Sequence, residues 1–134
     1  MSKILVIDDD PAARRMIGRI LADASFQVIE AVNGLDGARL YHAQSPDLVI
    51  TDIIMPEQEG IQTIADIRGC GRGTPIIAIS GGGSGTGDLY LSMAEELGAD
   101  GVLAKPFRPS DLLSMVNELL HPDQPGFGSV TASA

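Results

Sequence analysis

Near its start the chain runs four apolar residues, Ile4-Leu5-Val6-Ile7, directly into three carboxylates, Asp8-Asp9-Asp10. A strand with no polar alternation has to be covered on both faces, the condition of a central strand in a parallel sheet. In such sheets ligands gather beyond the carboxyl ends of the strands. The segment therefore predicts a buried strand that opens into an acidic mouth, and carboxylates crowded there need a cation.

Further along, short apolar strands alternate with stretches of helical periodicity. Strands are predicted at Ile4–Ile7, Phe26–Ala31, Leu48–Thr51, Pro75–Ile79 and, more weakly patterned, Gly101–Ala104. Ala13, Met16, Ile17, Ile20 and Leu21 recur at helical spacing, with Pro11 suited to a first turn. Three further segments follow, marked by Leu35, Ala38, Arg39 and Tyr41, by Ile61, Ile64, Ala65 and Ile67, and by Leu89, Met93, Ala94 and Leu97. The last helix opens at Pro109 or Ser110, carries Leu112, Leu113, Val116, Leu119 and Leu120, and stops at His121-Pro122. Five βα units in a row predict an α/β fold: a five-stranded parallel sheet with right-handed crossovers and helices on both faces. Residues 1–121 form one expected domain, and residues 122–134, rich in Pro, Gly and Ser, an expected disordered tail.

The 134 residues suit a single core. Eighteen acidic against nine basic side chains give a formal charge of -9, which repels a phosphate backbone, so no nucleic-acid partner is expected. Cys70 has no second cysteine to pair with, and its expected role is a loop thiol in a reducing compartment. With no apolar run of membrane length and no basic-then-apolar leader, the expected location is the cytoplasm, without membrane association. His42 and His121 do not follow strands and are expected on the surface.

Parallel strands all end on one edge, so residues just past each strand meet in space. Asp8 and Asp9 follow the first strand, Asp52 the third, Ser80 the fourth and Lys105 the fifth. Three carboxylates, a hydroxyl and an ammonium suit phosphoryl chemistry, in which a protein positions reactants and neutralises charge. Mg²⁺ takes oxygen ligands from one or two carboxylates plus phosphate, which Asp8, Asp9 and Asp52 can supply. One carboxylate would act as nucleophile and become an acyl phosphate. Ser80 and Lys105 would bind the phosphate oxygens.

These residues resemble the receiver domain of two-component response regulators, here of the stand-alone type, over roughly residues 2–121. The matching motifs are Ile7-Asp8-Asp9, Thr51-Asp52-Ile53-Ile54-Met55-Pro56 with Gly60, Ile79-Ser80-Gly81 and Lys105-Pro106-Phe107. The resemblance implies a flavodoxin-like (βα)5 fold with strand order 2-1-3-4-5. It implies that Asp52 accepts a phosphoryl group from a histidine kinase or phosphotransfer protein, and that Mg²⁺ sits on Asp8, Asp9, Asp52 and the backbone carbonyl of Ile54. Ser80 would be the switch hydroxyl, with Gly81 beside it, Lys105 the phosphate-binding cation, and the Lys105-Pro106 bond cis. The implied chain is a monomer or weak homodimer that passes its signal to a downstream protein partner or relays the phosphate. Tyr90, Leu91, Leu103 and part of the last helix are candidate contacts.

Two positions depart from the family pattern. Val102 stands where the family's switch usually carries an aromatic, and the glycine-rich Gly81–Gly87 stands where the family has a compact loop. This glycine-rich loop is expected to move as Ser80 closes on phosphate. Ile54 and Gly82, which flank the path of attacking water in the family, carry no polar side chain, so slow autodephosphorylation is expected. Two alternatives stand beside this reading. One is an adaptor that is never phosphorylated. The other is a haloacid-dehalogenase-type phosphatase with Asp8 as nucleophile and Asp10 as general acid; it lacks a late acidic pair, because Lys105-Pro106-Phe107-Arg108 fills that region. Asp10, just before Pro11, is expected instead to cap the first helix.

Overall fold

In the computed structural model, residues 1–53, 59–80, 92, 95–96 and 98–121 are described. The elements are β1 (Lys3–Ile7), α1 (Pro11–Asp23), β2 (Gln27–Ala31), α2 (Gly34–Gln44), β3 (Leu48–Asp52), α3 (Glu59–Gly69), β4 (Ile76–Ser80), β5 (Gly101–Ala104) and α4 (Pro109–Leu120). The five strands form one parallel sheet in the order β2-β1-β3-β4-β5. Both the fold class and the strand order are as expected. Ile54, Met55-Pro56, the Gly81–Gly87 loop, most of the helical stripe from Leu89 to Leu97, and residues 122–134 lie outside the described residues.

The two-residue period of the strands divides the core in two. On one face Leu5, Ile7, Val49, Ile76 and Ala78 pack with Tyr41 of α2 and with Ile64 and Ile67 of α3. On the other, Ile4, Val6, Leu48, Ile50, Ile77 and Ile79 pack with Ile17 and Leu21 of α1 and with Leu112 and Val116 of α4. Every residue of β3 and β4 is buried, as a central parallel strand requires.

The helices begin where their caps dictate. Asp10 accepts from the Ala12 amide at 3.1 Å with Pro11 in the first turn of α1, the expected capping role. Asn33 accepts from Asp36 N at 2.8 Å to start α2, which ends at Ser45 in the left-handed region (φ 47°). In α2 the burial differs from the predicted stripe: Leu35 is 81% exposed, and the buried positions are Gly34, Gly37 and Tyr41. Gly37 explains this. A Cβ there would meet Ile7 Cδ1 at 2.5 Å, so its lack of a side chain lets α2 sit directly against β1 and turns Leu35 outward.

Candidate functional site

Of the predicted site residues within the described segments, Asp8, Asp9, Asp52, Ser80 and Lys105 come to the carboxyl edge of the sheet, while Val102 is the second residue of β5. Two placements differ in detail from expectation. Asp52 and Ser80 are the last residues of β3 and β4 rather than the first beyond them, because the ladders extend one step further. Asp52 pairs with Ile79, and Ser80 with Ala104. Lys105 does follow β5, and its amide donates to the Ser80 carbonyl at 2.8 Å. The Lys105–Pro106 peptide is cis, as the resemblance implied.

Asp8 is 1% exposed and Ser80 fully buried, while Asp52 is 7% exposed and Asp9 lies open to solvent. One carboxylate oxygen from each of Asp8, Asp9 and Asp52 lies within 4.8 Å of the others. Lys105 Nζ stands 3.7 Å from Asp8 Oδ2 and 3.8 Å from Asp52 Oδ2. One ammonium thus faces two buried carboxylates with a third close by, and the cluster keeps a surplus of negative charge.

Asp8 is tied down at nearly every polar atom. Its amide donates to the Ala31 carbonyl at 3.2 Å, its Oδ1 accepts from Asp10 N at 2.9 Å, and its carbonyl accepts from Arg14 Nη1 at 2.9 Å. Its remaining carboxylate atom, Oδ2, is buried with no hydrogen-bond partner. Burial raises the Asp8 carboxyl above its ordinary value, and the charges of Asp9 and Asp10 push the same way. The Asp10 amide and Lys105 act against them. A buried, unsatisfied carboxylate oxygen amid two more carboxylates, all hard donors, fits a hard divalent cation.

Val102 is partly buried and packs against the core on the α2/α3 side, and Leu103 packs against the opposite one. Tyr90, Leu91 and Gly81 lie outside the described residues. Cys70 lies exposed just beyond α3, with Sγ 3.8 Å from Nε2 of the exposed His42. No helix among the described residues is long and apolar enough to cross a membrane.

Arg14 went unrecognised in the sequence. It reaches from α1 to the Asp8 carbonyl and to Glu30 Oε1 of β2, at 2.9 Å each. The available signal was its place one turn before Gly18 and two before Leu21, both buried, which puts a cation on the covered side of an amphipathic helix.

The comparisons with known proteins converge on the class that this edge defines, a phosphate-handling signalling module. The response regulator receiver domain family matches residues 4–117. Chemotaxis protein CheY of Halobacterium salinarum is 30% identical over 118 residues, covering 88% of this chain and 96% of that protein. The probable transcriptional regulatory protein SilR of Salmonella typhimurium is 36% identical over 118 residues, again 88% of this chain but 50% of its own length. The chain thus spans half of one relative and nearly all of the other. Among solved structures, a response regulator receiver domain protein from Clostridium thermocellum superposes with a TM-score of 0.82 at 29% identity, covering 92% of this chain and 98% of that one. The BeF3-activated receiver domain of RstA from Klebsiella pneumoniae gives 0.79 at 28% identity, covering 88% and 97%.

The chain belongs to the receiver-domain family of two-component response regulators. These are phosphoacceptor signalling modules that bind Mg²⁺ at an acidic cluster and work with histidine kinases and downstream partners.

Proposed function

We propose that Asp52 is the phosphoacceptor of this receiver domain, taking its phosphoryl group from the phosphohistidine of a kinase or phosphotransfer protein. One observation carries the reading: Lys105 Nζ lies within 4 Å of both Asp52 and Asp8, beside the carboxylate trio. An Asp52 Oδ attacks phosphorus, the P–N bond breaks, and the imidazole leaves with the bonding pair. Lys105 receives the phosphoryl oxygens as a compact point charge, and the Ser80 hydroxyl, at the end of the neighbouring strand, donates to an oxygen present only in the product. Asp8 and Asp9, with Asp52 and the Ile54 carbonyl, would hold Mg²⁺, which when bound offsets charge on the transferring oxygens. The phosphorylated surface then engages a downstream protein or passes the group on.

The phosphatase alternative loses its general acid, because Asp10 is occupied in capping α1 and stands outside the carboxylate trio. The test is incubation with Mg²⁺ and acetyl phosphate, followed by intact mass. One phosphoryl adduct is expected on the natural chain and none on Asp52→Asn. An adduct that persists in Asp52→Asn refutes the assignment.

A further inference from the structure

The Asp8 contacts raise the question of what holds the β1–α1 turn against the mutual repulsion of its carboxylates. We propose that Arg14 is a positioning residue of the acidic site: it clamps the Asp8 backbone so that Oδ2 faces the cation position. This rests on the reading of Asp8, Asp9 and Asp52 as the Mg²⁺ ligands.

The geometry is specific. Arg14 Nη1 donates to the Asp8 carbonyl and Nε to Glu30 Oε1, both at 2.9 Å, and the Arg14 side chain is only 13% exposed. A guanidinium offers donors in a fixed planar fork, so two bonds made at once fix its plane and hence the carbonyl it holds. Glu30 belongs to β2, whose residue Ala31 accepts from the Asp8 amide. Arg14 and β2 thus hold the Asp8 peptide from its two ends. Gly18, one turn on, lies against Val28 and Glu30, with which even a Cβ would make only ordinary contacts, at 3.5 Å and 3.6 Å.

Positioning and electrostatics predict opposite signs. Arg14 is a cation on the backbone of a metal-binding residue, so through charge alone its removal would tighten Mg²⁺ binding. Through position, its removal frees the turn and weakens binding. Outer-shell partners of metal ligands typically contribute about 10–100-fold in affinity, so Arg14→Met is expected to raise the Mg²⁺ Kd by about tenfold. Arg14→Lys retains the charge but not the fork, and is expected to recover only a small part of that loss. Glu30→Ala leaves the Arg14 charge in place without its anchor and is expected to weaken binding by a smaller factor.

The experiment is Mg²⁺ titration by calorimetry of the natural chain and the three variants, with circular dichroism to verify folding. Amide exchange of Asp10, whose N–H is held by Asp8 Oδ1, is followed in the metal-free proteins. Weaker Mg²⁺ binding together with faster Asp10 exchange in the folded Arg14 variants supports the clamp. Unchanged or tighter binding in them overturns it, as does natural affinity in Arg14→Lys, which would show that the planar fork is not what positions Asp8. If Arg14→Met does not fold, Glu30→Ala decides, and an unchanged Kd there overturns the proposal. Failure of the natural chain to bind Mg²⁺ refutes the metal-site reading itself, a separate outcome.

Discussion

Gly37→Ala replaces a helix-interior glycine, a change that in an unobstructed helix stabilises by about 1 kcal/mol. Here the opposite is expected. The new Cβ would lie 2.5 Å from Ile7 Cδ1, 2.8 Å from Cγ1 and 3.3 Å from Cγ2, whereas non-bonded carbons pack at about 3.5–4.0 Å. Ile7 is fully buried and β-branched, so it has few rotamers to escape into. Overpacking of a closed site costs about 1–3 kcal/mol. An approach as short as 2.5 Å places the cost at the upper end of that range, about 2–3 kcal/mol. Set against the helix gain of about 1 kcal/mol, the net loss is about 1–2 kcal/mol, which lowers a urea midpoint by roughly 0.5–1 M at an ordinary m-value. Two comparisons isolate the cause. Gly69, at the end of α3, has nothing within 4 Å of the point a Cβ would occupy, so Gly69→Ala is expected to be neutral or stabilising by up to about 1 kcal/mol. Ile7→Val removes Cδ1, the nearest clashing atom, so in a double-mutant cycle it should relieve Gly37→Ala by about 1 kcal/mol. A Gly37→Ala protein as stable as the natural chain, or a cycle without coupling, refutes this account of how α2 meets β1.

Two further outcomes follow from the ion contacts. The folded Asp8 carboxyl is raised, so between its ordinary value of 3.8 and the raised one the folded chain holds more protons than the unfolded chain. Metal-free stability should therefore fall as pH rises through that window, with the penalty complete above it. Asp8→Asn removes one of three like charges and is expected to stabilise the metal-free protein on the order of 1 kcal/mol, with the lost attraction of Lys105 limiting the gain. The same variant should lose Mg²⁺-dependent stabilisation, and thermal melts across pH with and without Mg²⁺ check both statements. At the opposite edge of the sheet Arg68 donates to the Gly98 and Thr74 carbonyls at 2.8 Å each and pairs with Asp100, which accepts from Ile76 N at 2.9 Å. Because these groups are partly exposed, Arg68→Met is expected to cost about 2–3 kcal/mol while leaving Mg²⁺ affinity unchanged, as urea unfolding and calorimetry will show.

The parts of this molecule that the sequence made legible are those set by simple periods. Unbroken apolar runs marked the central strands because both faces of the sheet are covered. Strict βα alternation determined the parallel arrangement, and parallel strands bring Asp8, Asp52, Ser80 and Lys105 to one edge. What stayed hidden depends on contacts between elements. Leu35 reads as a core residue until the close approach allowed by Gly37 sets the rotation of α2. Arg14 went unrecognised because its role depends on Glu30, which β2 brings beside it. The extra ladder residues at Asp52 and Ser80 come from pairing register, which local patterning does not encode.

The same division accounts for the tension at the site. Two apolar clusters, one on each face, supply the stability of the domain, and the sheet edge is left to hold groups that would not choose to be together. Asp8 is buried with one unsatisfied oxygen, faces one ammonium, and shares its surroundings with two more carboxylates. The fold tolerates this because the neighbouring contacts fix the Asp8 backbone from both sides, so repulsion cannot be relieved by moving the turn. It can be relieved only by protonation or by a cation. A ligand that binds the folded chain alone stabilises it by RT ln(1 + [L]/Kd). Stability and Mg²⁺ occupancy would therefore be linked, and the carboxylate crowding that costs the metal-free protein stability is what would give the cation its preformed site.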